Sequence, residues 1–148
     1  MSKKITSVVV SGYFDPIHVG HLEFLELAKK LGDTLTVIIN NNLQAELKKG
    51  STFMDEKDRM EIVAALRCVD EVFLSIDTDK SVCKSLEHIK PDIFANGGDR
   101  SDPSKVRELE IAEKLKIELK FGVGGNHKES SSSDLLKRWS EYLDLKKT

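Results

Sequence analysis

The sequence predicts an α/β fold: a single Rossmann-like domain over residues 1–148, with a five-stranded parallel sheet and helices on both faces. Three observations predict it. Short apolar, β-branched runs alternate with helical periods along the chain, in the order βαβαβαβαβα. The strand-like runs are nearly continuously apolar, as strands covered on both faces must be. No internal repeat or linker composition breaks the alternation.

The elements follow in order. Ile5 to Val10 (ITSVVV) reads as a buried strand, followed by a turn-rich loop, SGYFDPIH. From Val19 the apolar residues Val19, Leu22, Leu25 and Ala28 recur at helical spacing, and Gly32 stops the helix. Leu35 to Ile39 is a second strand. NNNLQAELKKGSTFM has no clean period and reads as a long loop with room for a short helical piece. Asp55 to Leu66 is helical, with Met60, Ile62, Val63 and Ala64 turned inward. Glu71 to Ser75 is a third strand, and Asp79 to Ile89 a helix ended by Lys90-Pro91. Asp92 to Ala95 is a short fourth strand. Asp102-Pro103 opens a helix as cap and first-turn residue, and that helix runs to Leu115. Ile117 to Phe121 is the fifth strand. The last helix starts in the serine run, with Leu135, Leu136, Trp139, Tyr142 and Leu143 on one face. Trp139 and Tyr142 are read as core or dimer contacts, and Lys146 and Lys147 as a solvated tail.

Composition excludes several function classes. The 148 residues carry 23 basic and 25 acidic side chains, a net charge of −2. That balance, with no aromatic-basic stripe, excludes a nucleic-acid binder working by bulk charge. Two cysteines, Cys68 and Cys83, are too few for a disulfide scaffold and are read as small buried residues. No run approaches the 18 apolar residues of a membrane span. The start MSKKITSVVVSG has neither a long apolar stretch nor a small-residue cleavage site, so the expected compartment is cytoplasmic.

In a parallel sheet, ligands bind beyond the carboxyl ends of the strands, at the point where strand order reverses. That rule selects the loops at 11–18, 41–54, 96–102 and 122–131. The first holds His18 and His21, three residues apart at the opening of a helix. Both share a face and lie beside the positive end of the helix dipole. Gly20 between them leaves room for a large anion to approach the backbone. The chemical reading is a polyphosphate cradle with two imidazole donors. A pair of capping histidines is the alternative. A zinc site is a third reading, but His88, His127, Cys68 and Cys83 are scattered where a structural zinc wants four ligands.

The stretch GYFDPIHVGHLEFLELAKKLGD resembles the opening of the HxGH nucleotidyltransferase superfamily, the cytidylyltransferase-like family. KDRMEIVAALRCVDEVF and IKPDIFANGGD resemble segments of its glycerol-3-phosphate cytidylyltransferases and heptose-phosphate adenylyltransferases. SSSDLLK resembles the serine/threonine motif that opens the last helix. Four motifs in order span about 120 residues.

The resemblance implies nucleotidyl transfer. An acceptor phosphate attacks the α-phosphorus of a nucleoside triphosphate and pyrophosphate leaves, with no covalent enzyme intermediate. The implied catalytic residues are His18, His21, Lys49 and Arg67, with Arg59 more structural. Nucleotide binding is implied for Gly12, Tyr13, Phe14, Gly20, Gly97, Gly98, Asp99, Ser131, Ser132 and Ser133. Asp15, Lys48 and Lys128 are implied on the acceptor, with Asp15 also an implied Mg²⁺ ligand. Mg²⁺ is expected with the triphosphate, no organic cofactor, and a homodimer as assembly. Each position also has a plainer reading: Asp15 as a turn residue, Lys48 and Lys49 as a solvated pair, the glycines as a helix-entry loop, the serines as a cap. FDPIHVGH leans towards the pyridine-nucleotide and pantetheine-phosphate adenylyltransferases, whereas RCVDEV and NGGD lean towards the cytidylyl and heptose branches. The main expectation is therefore CMP transfer from CTP to a small phosphorylated polyol, sugar or alcohol. The alternatives are AMP transfer from ATP to a heptose-like sugar phosphate, and a non-catalytic nucleotide-binding module.

Overall fold

The computed structural model describes residues 4–98, 105–124 and 132–147, with the backbone alone for Ser132 and Ser133. The strands are β1 (Ser7–Gly12), β2 (Thr34–Ile39), β3 (Glu71–Leu74), β4 (Ile93–Ala95) and β5 (Glu118–Lys120). The helices are α1 (Val19–Lys29), α2 (Asn42–Lys49), α3 (Glu56–Ala64), α4 (Cys83–Ile89), α5 (Val106–Leu115) and α6 (Ser132–Lys146). The five strands pair in parallel in the order β3-β2-β1-β4-β5. The expected α/β fold is the observed one.

Successive residues of a strand face opposite sides of the sheet, and β1 shows why its run is apolar throughout. Val8 and Val10 join Leu25, Ala28, Leu35, Val37 and Val63 in one core, beneath α1 and α3. Val9 joins Ile38, Leu86, Phe94 and Ala112 in the other, beneath α4 and α5. Chain order reverses between β1 and β4, the central pair. A crevice therefore opens at their carboxyl ends.

Several boundaries differ from expectation. β1 lies two residues further on than the ITSVVV run: its ladder with β2 runs from Ser7↔Thr34 to Gly12↔Ile39, and Ile5 is exposed. The 42–49 stretch is a full helix, α2. Its apolar pattern is poor, so its ends hold it: Asn41 and Gln44 form a capping box and Gly50 closes it at φ 86°. α4 starts at Cys83 rather than Asp79. Asp79 Oδ1 instead accepts from the amide and hydroxyl of Ser81, local bonds that compete with a helix. Asp77 does the capping, accepting from the amides of Lys84 and Ser85 at 2.7 and 3.0 Å. In α3, Val63 is buried as expected, but Ile62 and Ala64 are exposed, and Arg59 takes the buried place. Trp139 and Tyr142 are not core residues: they stack on each other at 5.2 Å while 57% and 43% exposed. Cys68 and Cys83 are free thiols and only partly buried. The Asp102-Pro103 helix start lies outside the described residues. No helix among the described residues is long and apolar enough to cross a membrane.

Candidate active site

The crevice is a cleft of about 530 Å³, within the few hundred Å³ typical of small-molecule sites. Its floor is the end of β1 and the turn that follows. The ring of Phe14 lies over Gly12, where a Cβ would meet it at 2.8 Å, so only glycine fits beneath it. Phe14 takes a left-handed φ of 53° to reach this place, and its ring meets His21 edge-on at 4.8 Å.

His18 and His21 form the start of α1 between them. The Gly20 amide donates to His18 Nδ1 and the His18 amide donates to His21 Nδ1, each at 3.1 Å. The rings stack with centroids 3.9 Å apart. An Nδ1 that accepts carries no proton, so each neutral ring holds its proton on Nε2. Burial lowers the His18 pKa. Burial, with His18 adding to it, pushes His21 down to about 4. Both rings are thus neutral N–H donors at neutral pH, and both line the cleft. The Gly20 amide is occupied by His18, and Gly20 itself is not among the residues that line the cleft.

Cations ring the opening. Lys48 and Lys49 come from the end of α2, Lys80 from the loop after β3, and Lys105 from the start of α5. Lys48 Nζ sits 4.3 Å above the ring of Tyr13. Burial lowers its pKa, and Lys49, Lys105 and Lys80 lower it further. Such a cluster raises its own energy and is relieved by an anion. The arrangement is electrostatically suited to a polyanion.

Asp15 does not face this cleft. It is 0% exposed. Its carboxylate accepts from the amides of Phe53 and Met54 at 2.9 and 2.5 Å and pairs with Lys49 Nζ at 3.0 Å. Lys49 also donates to the Asp15 carbonyl at 2.8 Å. Burial alone would raise the Asp15 pKa, but the Phe53 amide, Lys49 and the Met54 amide outweigh it and hold the carboxyl low. Both oxygens of the carboxylate expected on the acceptor and Mg²⁺ are thus engaged within the protein. Asp15 fastens the 53–54 loop and seats Lys49.

Arg59 lies beneath the same loops, 1% exposed. Its guanidinium donates to the carbonyls of Met54, Tyr13 and Asn40 at 2.9, 2.8 and 2.6 Å and to Asn42 Oδ1 at 2.9 Å. This is the structural role expected of it. Arg67 was expected on phosphate but is exposed beyond the end of α3 and absent from the cleft lining.

Gly97 and Gly98 are exposed at the end of β4, next to the cleft rather than in its lining. A Cβ on Gly97 would sit 3.2 Å from the Val123 carbonyl, and Gly98 accepts from the Gly122 amide at 3.0 Å. Asp99, Lys128 and Ser131 lie outside the described residues. Ser132 and Ser133 begin α6, as the motif implies. Among the described residues no group of three or more His, Cys, Asp or Glu side chains could hold a metal.

The motifs gave no warning of Lys80, Lys105 and Glu108, which also line the cleft. Only the strand-end rule pointed to the neighbourhood of Lys105, through the loop at 96–102. Glu108 is 5% exposed, and burial, partly countered by Lys105 and the Val82 amide, raises its pKa.

Comparison with known proteins agrees with this architecture. A profile of the cytidylyltransferase-like family matches residues 9–138. The FAD synthase of Pyrococcus abyssi is 34% identical over 139 residues, covering 92% of this chain and 93% of that one. The FAD synthase of Ferroglobus placidus is 45% identical over 93 residues, 63% of this chain, and the chain spans 59% of its length. The bifunctional protein HldE of Citrifermentans bemidjiense is 38% identical over 138 residues, 91% of this chain, and the chain spans 27% of its length. The crystal structure of a lipopolysaccharide core biosynthesis protein from Thermoplasma volcanium superposes with a TM-score of 0.66 at 28% identity, covering 80% of this chain and 94% of that one. The chain belongs to the cytidylyltransferase-like family, the nucleotidyltransferase family that its HxGH turn resembles.

Proposed function

We propose that this protein is an adenylyltransferase, which moves AMP from ATP to the phosphate of a polyhydroxylated acceptor and releases pyrophosphate. The observation that carries the reading is the joining of His18, His21, Lys48, Lys49, Lys80 and Lys105 in one cleft. ATP is preferred to CTP because the relatives point that way. FAD contains an AMP unit, and FAD synthases match this chain over most of its length. FMN is therefore the first acceptor to test. A heptose-like sugar phosphate is the second, favoured by the likeness to HldE.

An oxygen of the acceptor phosphate forms a bond to the α-phosphorus of ATP. The bond from that phosphorus to its bridging oxygen breaks, and the electron pair leaves with pyrophosphate. No proton needs to be taken from the acceptor, because a phosphate monoester is already anionic. The protein's work is to hold two anions in line and stabilise the charge that spreads between them. The Nε2–H groups of His18 and His21 donate to the phosphate oxygens. The lysines offset the repulsion between the two substrates. Mg²⁺ is expected on the triphosphate oxygens. Asp15 offers it no free oxygen, since its carboxylate is engaged by two amides and Lys49. The proposed setting is cytoplasmic and the proposed assembly a homodimer, which sedimentation tests.

The test is pyrophosphate release with ATP, CTP, GTP and UTP against FMN, heptose 1-phosphate and glycerol 3-phosphate. Turnover with ATP and FMN is the expected result, lost in a His18→Ala, His21→Ala double variant. Turnover with CTP alone would return the protein to the cytidylyl branch. Nucleotide binding with no turnover on any acceptor would favour the non-catalytic module.

A further inference from the structure

Glu108 is the acid among the cations of the cleft. A carboxylate weakens a pure anion site, so phosphate binding does not explain it. Its Oε1 accepts from the Val82 amide at 3.3 Å. Its Oε2 is buried and has no hydrogen-bond partner, the one such side-chain atom among the described residues. Lys105 Nζ stands 3.7 Å from it, an ion pair too long for a hydrogen bond. Buried polar groups are nearly always hydrogen-bonded, so an orphan at a cleft asks for a donor from the ligand.

We infer that Glu108 sets acceptor specificity, its Oε2 accepting from a hydroxyl of the acceptor and so selecting polyhydroxylated phosphate esters over plain alkyl phosphates. The inference rests on the reading that the cleft takes a phosphate ester. Lys105 supplies the coupling. A phosphate entering among Lys48, Lys80 and Lys105 draws the Lys105 ammonium towards itself and away from Glu108. The carboxylate then loses its counter-charge as the ligand's hydroxyl arrives to replace it. Burial already disfavours the bare carboxylate, which sharpens the demand for that donor. The ribityl chain of FMN and a sugar phosphate both carry hydroxyls near the phosphate, so the assignment serves either acceptor.

The test uses the full chain and two probes of equal length, ribitol 5-phosphate and pentyl phosphate, which differ only in hydroxyl groups. Calorimetric titration of each into the wild type, Glu108→Gln and Glu108→Met gives a preference ratio, with ATP as the control ligand. A hydrogen bond to a charged group is worth about tenfold or more in affinity, so the wild type is expected to prefer ribitol 5-phosphate by at least about tenfold. Glu108→Met should bring the ratio to within about twofold of unity. Glu108→Gln keeps the bond from Val82 and should lower the ratio without loss of fold, which covers a Met variant that fails to fold. ATP affinity should rise, by a similar factor in both, because each removes the same negative charge from among the lysines. A wild type without preference overturns the inference, as does a ratio unchanged in the variants. Equal weakening of both probes and of ATP also overturns it, because that marks Glu108 as a prop for the start of α4. A collapsed ratio in a protein that turns over no nucleotide supports the inference and overturns the adenylyltransferase reading alone.

Discussion

His18 and His21 cap one helix against each other: the His18 amide donates to His21 Nδ1, and His18 Nδ1 accepts from Gly20, each at 3.1 Å. One pair of bonds starts the helix and fixes both tautomers, with the rings stacked on each other. The capping and the chemical readings of the two histidines are therefore compatible. The cap consumes one nitrogen of each ring and leaves the other as a donor.

That division predicts how substitutions separate. Asparagine is a good cap, so His18→Asn should keep the bond from Gly20 and nearly all the stability. His18→Ala should cost about 1 kcal/mol. Both should lower turnover by about 10²–10³, the usual worth of one aligned donor. Thermal unfolding and pyrophosphate release read the two effects apart. An asparagine variant with full activity would show that the ring beyond Nδ1 does nothing.

The same burial sets a pH dependence. His21 titrates at about 4 in the folded chain against an ordinary 6.5, and His18 is shifted the same way. The unfolded chain then binds the proton more readily within that window. Stability is expected to be full above about 6.5 and to fall as pH drops towards 4. A bound polyanion reverses the bias by favouring the imidazolium. ATP binding near pH 5.5 should therefore take up more protons in the wild type than in His21→Asn. Calorimetry in two buffers of different ionisation enthalpy measures the difference, and equal uptake would refute the assignment.

The fold was legible because β1, β2 and β4 are nearly continuous apolar runs separated by helical periods. α2 was not, because its caps hold it rather than an apolar stripe. The HxGH turn was legible because its residues are adjacent in sequence. Lys80, Lys105 and Glu108 were not, because they meet across separate loops only once β1 and β4 lie side by side. The fastening role of Asp15 was not legible either, because Lys49, Phe53 and Met54 come to its carboxylate only in space.

Asp15 gives the third prediction. Asp15→Asn keeps the shape but loses the charge that holds Lys49, and its one carbonyl oxygen can replace only one of the two oxygens that accept from Phe53 and Met54. Breaking a buried pair costs about 3–5 kcal/mol. Lys49 is partly exposed, so the lower end is expected. The folded pKa is held low, so this contribution is present above the ordinary carboxylate range and disappears as pH falls through the folded value. Denaturant melts at neutral and acid pH should converge for wild type and variant. The Mg²⁺ concentration for half-maximal activity should not move. A large rise would restore Asp15 as a metal ligand.

Arg59 ties the ends of β1 and β2 to the loop before α3 through three carbonyls and Asn42. The planar fork explains why arginine is needed, since its donors reach several fixed directions at once. Arg59→Lys keeps the charge but cannot span those acceptors. Arg59→Met fills the space and leaves the buried Asn40 carbonyl and the part-buried Tyr13 and Met54 carbonyls without this donor. Each unsatisfied buried group costs about 1–3 kcal/mol, against a total stability of only about 5–15 kcal/mol for a domain. Arg59→Met is therefore expected to lose at least about 3 kcal/mol, with Arg59→Lys in between. Arg67→Ala, on an exposed side chain, should change stability by less than about 0.5 kcal/mol. Urea unfolding of the three variants ranks them, and an Arg59→Met protein as stable as Arg67→Ala would mean that water replaces the guanidinium.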